Sequence, residues 1–204
     1  MTSNAENKQL IREHAKKTRA MLPLNGNDGD DLSRKFFEIF DRWLDATSVV
    51  AVYWPLNKEC DTLPLIDDLL GKNITVALPH INGTDTGLDF YAWTQDLPLI
   101  ESDFGAMHPD IAAGKYGEAI QPNIILLPML AYDRKGARLG YGAGHYDRAI
   151  DALKAEGTDP LLVGIAYMEQ ICLYPLPAED HDQPLDCVLN PNGYTRFSPR
   201  APMG

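Results

Sequence analysis

Apolar residues recur along this chain with two different periods. Short runs at Val49–Trp54, at residues 73–78, at Ile124–Leu127 and at Leu161–Tyr167 are too brief for stable helices. They suit strands buried on both faces. Between them the spacing changes to three and four, which is the mark of an amphipathic helix. Residues 6–22 carry Ile11, Ala15, Thr18 and Leu22, and residues 31–45 carry Leu32, Phe36, Ile39, Phe40 and Trp43 as a core face. A helix over residues 62–70 has Asp61 or Thr62 as its N-cap, Pro64 in its first turn and Gly71 past its end. A fourth helix starts near Tyr146 and runs to Glu156. Pro55 and Pro79 close the first two strands, Leu88–Trp93 alternates as an edge strand would, and Val188 and Leu189 form a short closing strand. Strands alternating with helices predict an α/β fold with a mostly parallel open sheet.

Residues 95–122 show no period and hold six prolines and glycines. A stretch of that length without structure is expected to be a mobile cover over a ligand. His108 within it reads as a surface histidine.

Composition narrows the class. With 204 residues, 45% of them apolar, the chain can bury a full core as one domain, residues 1–204. A formal net charge of −11 argues against a nucleic-acid partner, which needs an extended basic surface. No apolar run approaches the roughly 18 residues of a membrane span, and the first residues lack a secretion signal, so a cytoplasmic protein with no membrane partner is expected. Cys60, Cys172 and Cys187 are odd in number and unpaired by spacing, which predicts reduced, buried thiols.

The chemistry is concentrated in residues 123–148. An apolar strand leads into a segment holding Gly136, Gly140, Gly142 and Gly144, then into the helix at Tyr146. Glycines let backbone N–H groups approach an anion, and a helix N-terminus adds partial positive charge. The spacing matches neither the dinucleotide fingerprint nor the P-loop, and three alternating glycines also suit a plain tight turn. Charge favours the anion site, because Arg134, Lys135, Arg138 and Arg148 gather here in an acidic chain. The first helix shows a similar excess, five basic residues against one acid between Lys8 and Arg19, with Lys8, Arg12, Lys16 and Arg19 along one side. A solvated surface helix is the plain alternative.

Ligands of open α/β sheets bind beyond the carboxyl ends of the strands, which aims Trp54, Glu59 and His80 at the same rim as the glycines. Asp180, Asp182 and Asp186 read either as a solvated loop or, beside a phosphate, as magnesium ligands with Asp147 as the second carboxylate.

Several stretches together resemble the 5-formyltetrahydrofolate cyclo-ligases, also called methenyltetrahydrofolate synthetases. They are Lys8-Gln-Leu-Ile-Arg12, Tyr53-Trp-Pro-Leu-Asn-Lys-Glu59, Phe104-Gly105, the long segment from Leu127 to Arg148, Ala166-Tyr-Met-Glu-Gln170 and His181-Asp-Gln-Pro-Leu-Asp186. The resemblance implies a single three-layer α/β/α domain that acts as a monomer. It further implies ATP as co-substrate, Mg2+ as cofactor, and 5-formyltetrahydrofolate, with or without a polyglutamate tail, as substrate. By position, Lys8 and Arg12 resemble the contacts to ATP phosphates. Arg138, Leu139, Gly140, Tyr141, Gly142, Ala143, Gly144, His145 and Tyr146 resemble the nucleotide loop, of which Tyr141 to His145 also line the folate. Trp54 and Glu59 resemble folate contacts, the acid accepting from pterin N–H groups. Asp147 and Asp182 resemble the magnesium carboxylates, and Arg138 or Arg148 the holder of the transferring phosphoryl group. His145 stands where many relatives carry tyrosine or phenylalanine, and Ala143 where some carry lysine; the imidazole is still a flat ring able to stack.

The implied reaction is cyclisation to 5,10-methenyltetrahydrofolate with release of ADP and phosphate. The N5-formyl oxygen takes the γ-phosphoryl group, N10 closes on the activated carbon, and phosphate departs. Positioning and charge neutralisation suffice for such chemistry, and no nucleophilic triad is visible. Two rivals share the phosphate loop: a sugar-phosphate isomerase or CoA-transferase-like enzyme, and a binding protein that holds folate or nucleotide without turnover.

Overall fold

The computed structural model describes residues 4–82, 87–102, 105–179 and 182–204. In chain order, α1 (Asn4–Ala20) and α2 (Asp28–Phe40, extended by a 3-10 turn over Asp41–Trp43) precede strand β1 (Val49–Ala51). Then come α3 (Leu63–Gly71), β2 (Thr75–Ile81), β3 (Leu88–Ala92), and the pair β4 (Leu99–Glu101) and β5 (Met107–Pro109). The second half holds β6 (Ile124–Pro128), β7 (Ala131–Asp133), β8 (Arg138–Leu139), α4 (His145–Ala155), β9 (Leu161–Ile165), β10 (Ile171–Cys172), β11 (Cys187–Asn190) and β12 (Gly193–Arg196).

Seven strands form the main sheet in the order β12-β11-β9-β6-β1-β2-β3. The five inner strands run parallel, and β3 and β12 close the edges antiparallel. Period-two alternation decides what each face carries. Val50, Val52, Val76, Leu78, Ile124, Leu126, Val163 and Leu189 point to the layer built by α2 and α3. Ala51, Ala77, Ile125, Leu127, Leu162 and Val188 point to α4, which contributes Ala149, Ile150 and Leu153. The result is the α/β/α layering with a mostly parallel sheet.

The remaining pieces sit at the carboxyl edge of that sheet. A three-stranded sheet, β10-β7-β8, lies beyond β6. α1 packs on it through Ala15, buried with Leu130, Ala131, Leu139 and Leu176.

Several expectations are corrected here. β2 continues through Pro79 to Ile81, because beyond Ala77 its registered neighbour is β3 and the Pro79–Phe90 pairing does without a proline N–H. His80 therefore lies within the strand. Trp43 is 52% exposed, since α2 has already given way to the 3-10 turn that rotates it outward. Residues 95–122 are not structureless, for they hold β4, β5 and a turn at Ile111–Ala113. His108 is half-buried rather than a surface residue, with its Nδ1 3.0 Å from Nδ1 of His80. The closing strand is β12, not β11, and Cys172 is half-buried while Cys60 and Cys187 are buried. Burial pushes the Cys60 and Cys187 thiols up to about 12, so neither is a thiolate at neutral pH. Among the described residues no helix is long and apolar enough to cross a membrane.

Candidate active site

Three elements meet at the carboxyl edge: α1, the loop over residues 140–144, and the segment after β10. The loop does not follow β6 directly as the sequence suggested; the β7–β8 hairpin intervenes, with Gly136 in its turn. Arg134 and Lys135 are exposed in that turn and not around the loop. Gly142 and Gly144 have left-handed backbones, φ +107° and +67°, and Gly144 is the N-cap of α4. Both positions are also crowded. A Cβ on Gly142 would lie 3.2 Å from the Arg12 Cζ, and one on Gly144 would lie 2.8 Å from an Arg148 Nη1. The positive φ is what favours glycine at both positions, since the crowding atoms belong to side chains that can shift.

α1 lays one stripe onto this edge. Lys8, Ala15 and Arg19 are all under 10% exposed, whereas Lys16 faces solvent and pairs with Glu13 at 3.6 Å. Arg12 donates through Nε to the Gly140 carbonyl at 3.1 Å. Lys8 reaches Glu179 at 2.7 Å and Asp182 at 2.8 Å. Burial works against the Lys8 charge, but the two carboxylates outweigh it and hold its pKa above the ordinary lysine value.

Arg138, on β8, forks onto Asp147 Oδ1 through both terminal nitrogens, at 3.1 and 2.7 Å, and donates to the Gln183 carbonyl at 3.1 Å. The Gln183 N–H also donates to Asp147 Oδ1, at 3.2 Å. Burial lowers the Arg138 pKa against the pull of Asp147. Asp147 thus accepts from the residue that follows Asp182, and both carboxylates act on Arg138. Asp186 has a different task, accepting from the Leu162 N–H inside the fold at 2.9 Å. Asp180, His181 and Phe104 lie outside the described residues. A cavity of about 350 Å3 opens beside Arg138, lined among others by Lys135, Ala137, Leu176 and Asp182.

At the other end of the stripe stands Glu59. Its Oε1 accepts from the Tyr141 hydroxyl at 2.5 Å and its Oε2 from the Leu56 N–H at 2.9 Å. The Arg19 guanidinium lies 3.6 Å from Oε1 and 5.3 Å from the Tyr141 ring centre. Burial raises the Glu59 pKa despite these partners, and burial likewise raises that of Tyr141.

Of the residues singled out in the sequence, the structure gathers Lys8, Arg12, Glu59, Arg138, Gly140, Tyr141, Gly142, Gly144, Asp147 and Asp182. Leu139 is buried below the loop, Ala143 exposed on it, and Tyr146 half-buried in the first turn of α4. Arg148 is exposed on the same turn, 3.2 Å from Nδ1 of His145. Trp54 is half-buried edge-on against Trp93, with centroids 5.8 Å apart, and His80 packs on His108 instead of the loop. Glu179 and Gln183 had not been given a role, and Arg19 had been named only as part of the basic side of the first helix. Helical phase could have found Arg19, which lies about 20° from Lys8 around α1, whereas Lys16 lies about 80° away.

A buried edge that combines glycine backbone, a helix start, forked arginine and two carboxylates is the architecture of an α/β enzyme for phosphorylated substrates. The model of the 5-formyltetrahydrofolate cyclo-ligase family matches residues 4–191. The 5-formyltetrahydrofolate cyclo-ligase of Mycolicibacterium smegmatis is 33% identical over 159 residues, 73% of this chain and 78% of the relative. That of Haemophilus influenzae is 29% identical over 189 residues, 91% and 98%. Among solved structures, the 5,10-methenyltetrahydrofolate synthetase of Aquifex aeolicus superposes with a TM-score of 0.72 at 25% identity, covering 93% of this chain and 92% of that one. The chain belongs to the 5-formyltetrahydrofolate cyclo-ligase family, and is an enzyme of that family.

The raised Glu59 pKa has a consequence for stability. A carboxyl whose folded pKa exceeds its unfolded value of roughly 4.3 stabilises fully below that value, and the contribution is lost as pH rises through the folded pKa. Glu59→Gln removes the titration. Melting temperatures should therefore shift upward relative to the parent protein as pH rises from 4 to 7, and a difference that stays flat over that range would show that burial does not dominate at Glu59.

Proposed function

We propose that the protein catalyses the ATP- and magnesium-dependent cyclisation of 5-formyltetrahydrofolate to 5,10-methenyltetrahydrofolate, releasing ADP and phosphate. The observation that carries this reading is the inward stripe of α1, with Lys8 at one end of the edge, Arg12 on the glycine loop between, and the Glu59–Tyr141 pair beside Arg19 at the other end. It supports two substrates meeting along one helix.

At the phosphate end, Lys8, Arg12 and the backbone N–H groups at the start of α4 receive the ATP phosphates. The cavity beside Arg138 takes the rest of the nucleotide. The carboxylates Asp147 and Asp182 fit magnesium, since hard oxygen donors in a pair, completed by phosphate oxygens, are what that ion takes. Among the described residues no cluster of three or more His, Cys, Asp or Glu side chains suggests a different metal. When bound, magnesium neutralises charge on the β- and γ-phosphates. Lys8 and Arg138 neutralise these same two carboxylates.

The residues divide the remaining work. Arg138 is held by Asp147 and Gln183 and positions that carboxylate. Arg148, exposed beside Gly144, holds the transferring phosphoryl group. At the other end Glu59 accepts from pterin N–H groups, with Trp54 and the His145 ring beside the bound folate. The N5-formyl oxygen attacks the γ-phosphorus and ADP leaves; N10 then adds to the activated carbon, and the C–O bond breaks to release phosphate. An amide oxygen is a poor leaving group, and phosphorylation makes it a good one. Fixed cations at the site where charge moves supply the catalysis.

Incubation with 5-formyltetrahydrofolate, MgATP and buffer tests this directly. The methenyl chromophore and ADP should appear in equal amounts, and a protein that binds both ligands but forms neither product is a binding module instead. Lys8→Ala should raise the KM for ATP by about tenfold while moving the KM for folate little, as loss of a charged contact predicts; the reverse pattern would assign α1 to the folate alone. Asp147→Asn should lower kcat by about a hundredfold or more, in line with the loss of one preorganised electrostatic group, and should also lower the melting temperature, because the buried Arg138 loses its carboxylate. Unaltered turnover in that variant would remove Asp147 from the metal site.

A further inference from the structure

Arg19 carries a buried donor that makes an ion pair but no hydrogen bond. Its side chain is 8% exposed, and Nη1 is a buried side-chain nitrogen without a hydrogen-bond partner among the described residues. At 3.6 Å the Glu59 Oε1 is too far for a hydrogen bond. A guanidinium nitrogen left so in a folded interior calls for a reason, because an unpaired buried donor is costly. The acceptor it approaches is already taken at 2.5 Å by the Tyr141 hydroxyl.

Tyr141 is the most exposed member of this trio. It is 45% exposed, stands between Gly140 and Gly142, and its ring lies over the Arg19 guanidinium. Its hydroxyl offers Glu59 one O–H donor, in the place where a ligand would offer an N–H. With Tyr141 swung away, the pocket presents an acceptor, Glu59 Oε1, directly beside a donor, Arg19 Nη1. That pattern is complementary to a cis-lactam, whose N–H and C=O are adjacent on one edge.

The geometry points to Arg19 as the residue that reads the 4-oxo group of the pterin, donating Nη1–H to the C4 carbonyl while Glu59 accepts from the neighbouring N3–H. Tyr141 is the placeholder that satisfies Glu59 until the ligand arrives. This rests on the folate reading above. It adds a specificity: a 4-amino-4-deoxy pterin turns an amino group toward Arg19, donor against donor, and offers no N3–H to Glu59. Sites built to hydrogen-bond a substrate group reject the analogue that lacks it strongly, because the protein's own polar atoms are then left unpaired.

The test is titration calorimetry of the full-length protein with 5-formyltetrahydrofolate and with its 4-amino-4-deoxy analogue, beside the turnover assay. The parent protein should bind the 4-oxo ligand more tightly. Arg19→Met should shrink that preference roughly 10-fold to 100-fold, by weakening the 4-oxo ligand while the 4-amino ligand binds as well as before or better. Equal weakening of both ligands would make Arg19 a structural residue and overturn the assignment, as would an unchanged preference or a parent protein with none. Should Arg19→Met not fold, Arg19→Lys keeps the charge but loses the fork and is read by the same ratio, with an intermediate loss expected and no loss overturning the proposal. A parent protein that turns over 5-formyltetrahydrofolate but shows no Arg19-dependent preference sinks only this inference. One that neither binds nor turns over the folate sinks the cyclo-ligase reading itself.

Discussion

The Arg12 guanidinium lies flat against Gly142 and donates to the carbonyl of Gly140, and this contact decides the shape of the whole edge. It brings a helix from the beginning of the chain onto a loop more than a hundred residues later. Any side chain at position 142 would have to displace the guanidinium, and its φ of +107° would strain any residue but glycine. The loop is thus defined by what it lacks. Ala15 seats the helix on β8 and its neighbours, the arginine fixes its height above the loop, and Lys8 and Arg19 then reach opposite ends of the same groove.

Charge along this groove is arranged in internal pairs. Lys8 is matched with Glu179 and Asp182, Arg138 with Asp147, and Arg19 stands near Glu59. Buried ions without partners are prohibitively costly, so a protein that must meet a polyanion needs substitutes while it waits. Carboxylates serve well, since under the proposed function they would turn to the metal ion while phosphate oxygens take over Lys8.

Much of the layered architecture could be read from the sequence because buried parallel strands are uniformly apolar. The runs at Val49, Ile124 and Leu161 all became inner strands. What could not be read was set by neighbours distant in sequence. Pro79 looked like a strand end, yet β3 makes it an edge position. β12 was overlooked although Asn192-Gly193 is a hairpin signal, because residues 193–196 carry little apolar weight. At the site, the glycines, Arg12 and Asp147 stood out by type and spacing. Arg19 stood out only as one of a basic ladder that also held Lys16, and it is packing that turns its side of α1 inward. Trp54 had a motif behind it, but its observed contact is with Trp93, which no local pattern announces.

One rigid rod touches both ends of the groove. From Lys8 to Arg19 is eleven residues, about 16 Å along the axis of α1. A ligand that tightens either end settles the same rod for the other, so part of the entropy of ordering the second site has already been spent. Linkage then requires the benefit to be mutual: whatever factor the nucleotide adds to folate affinity, folate must return to the nucleotide.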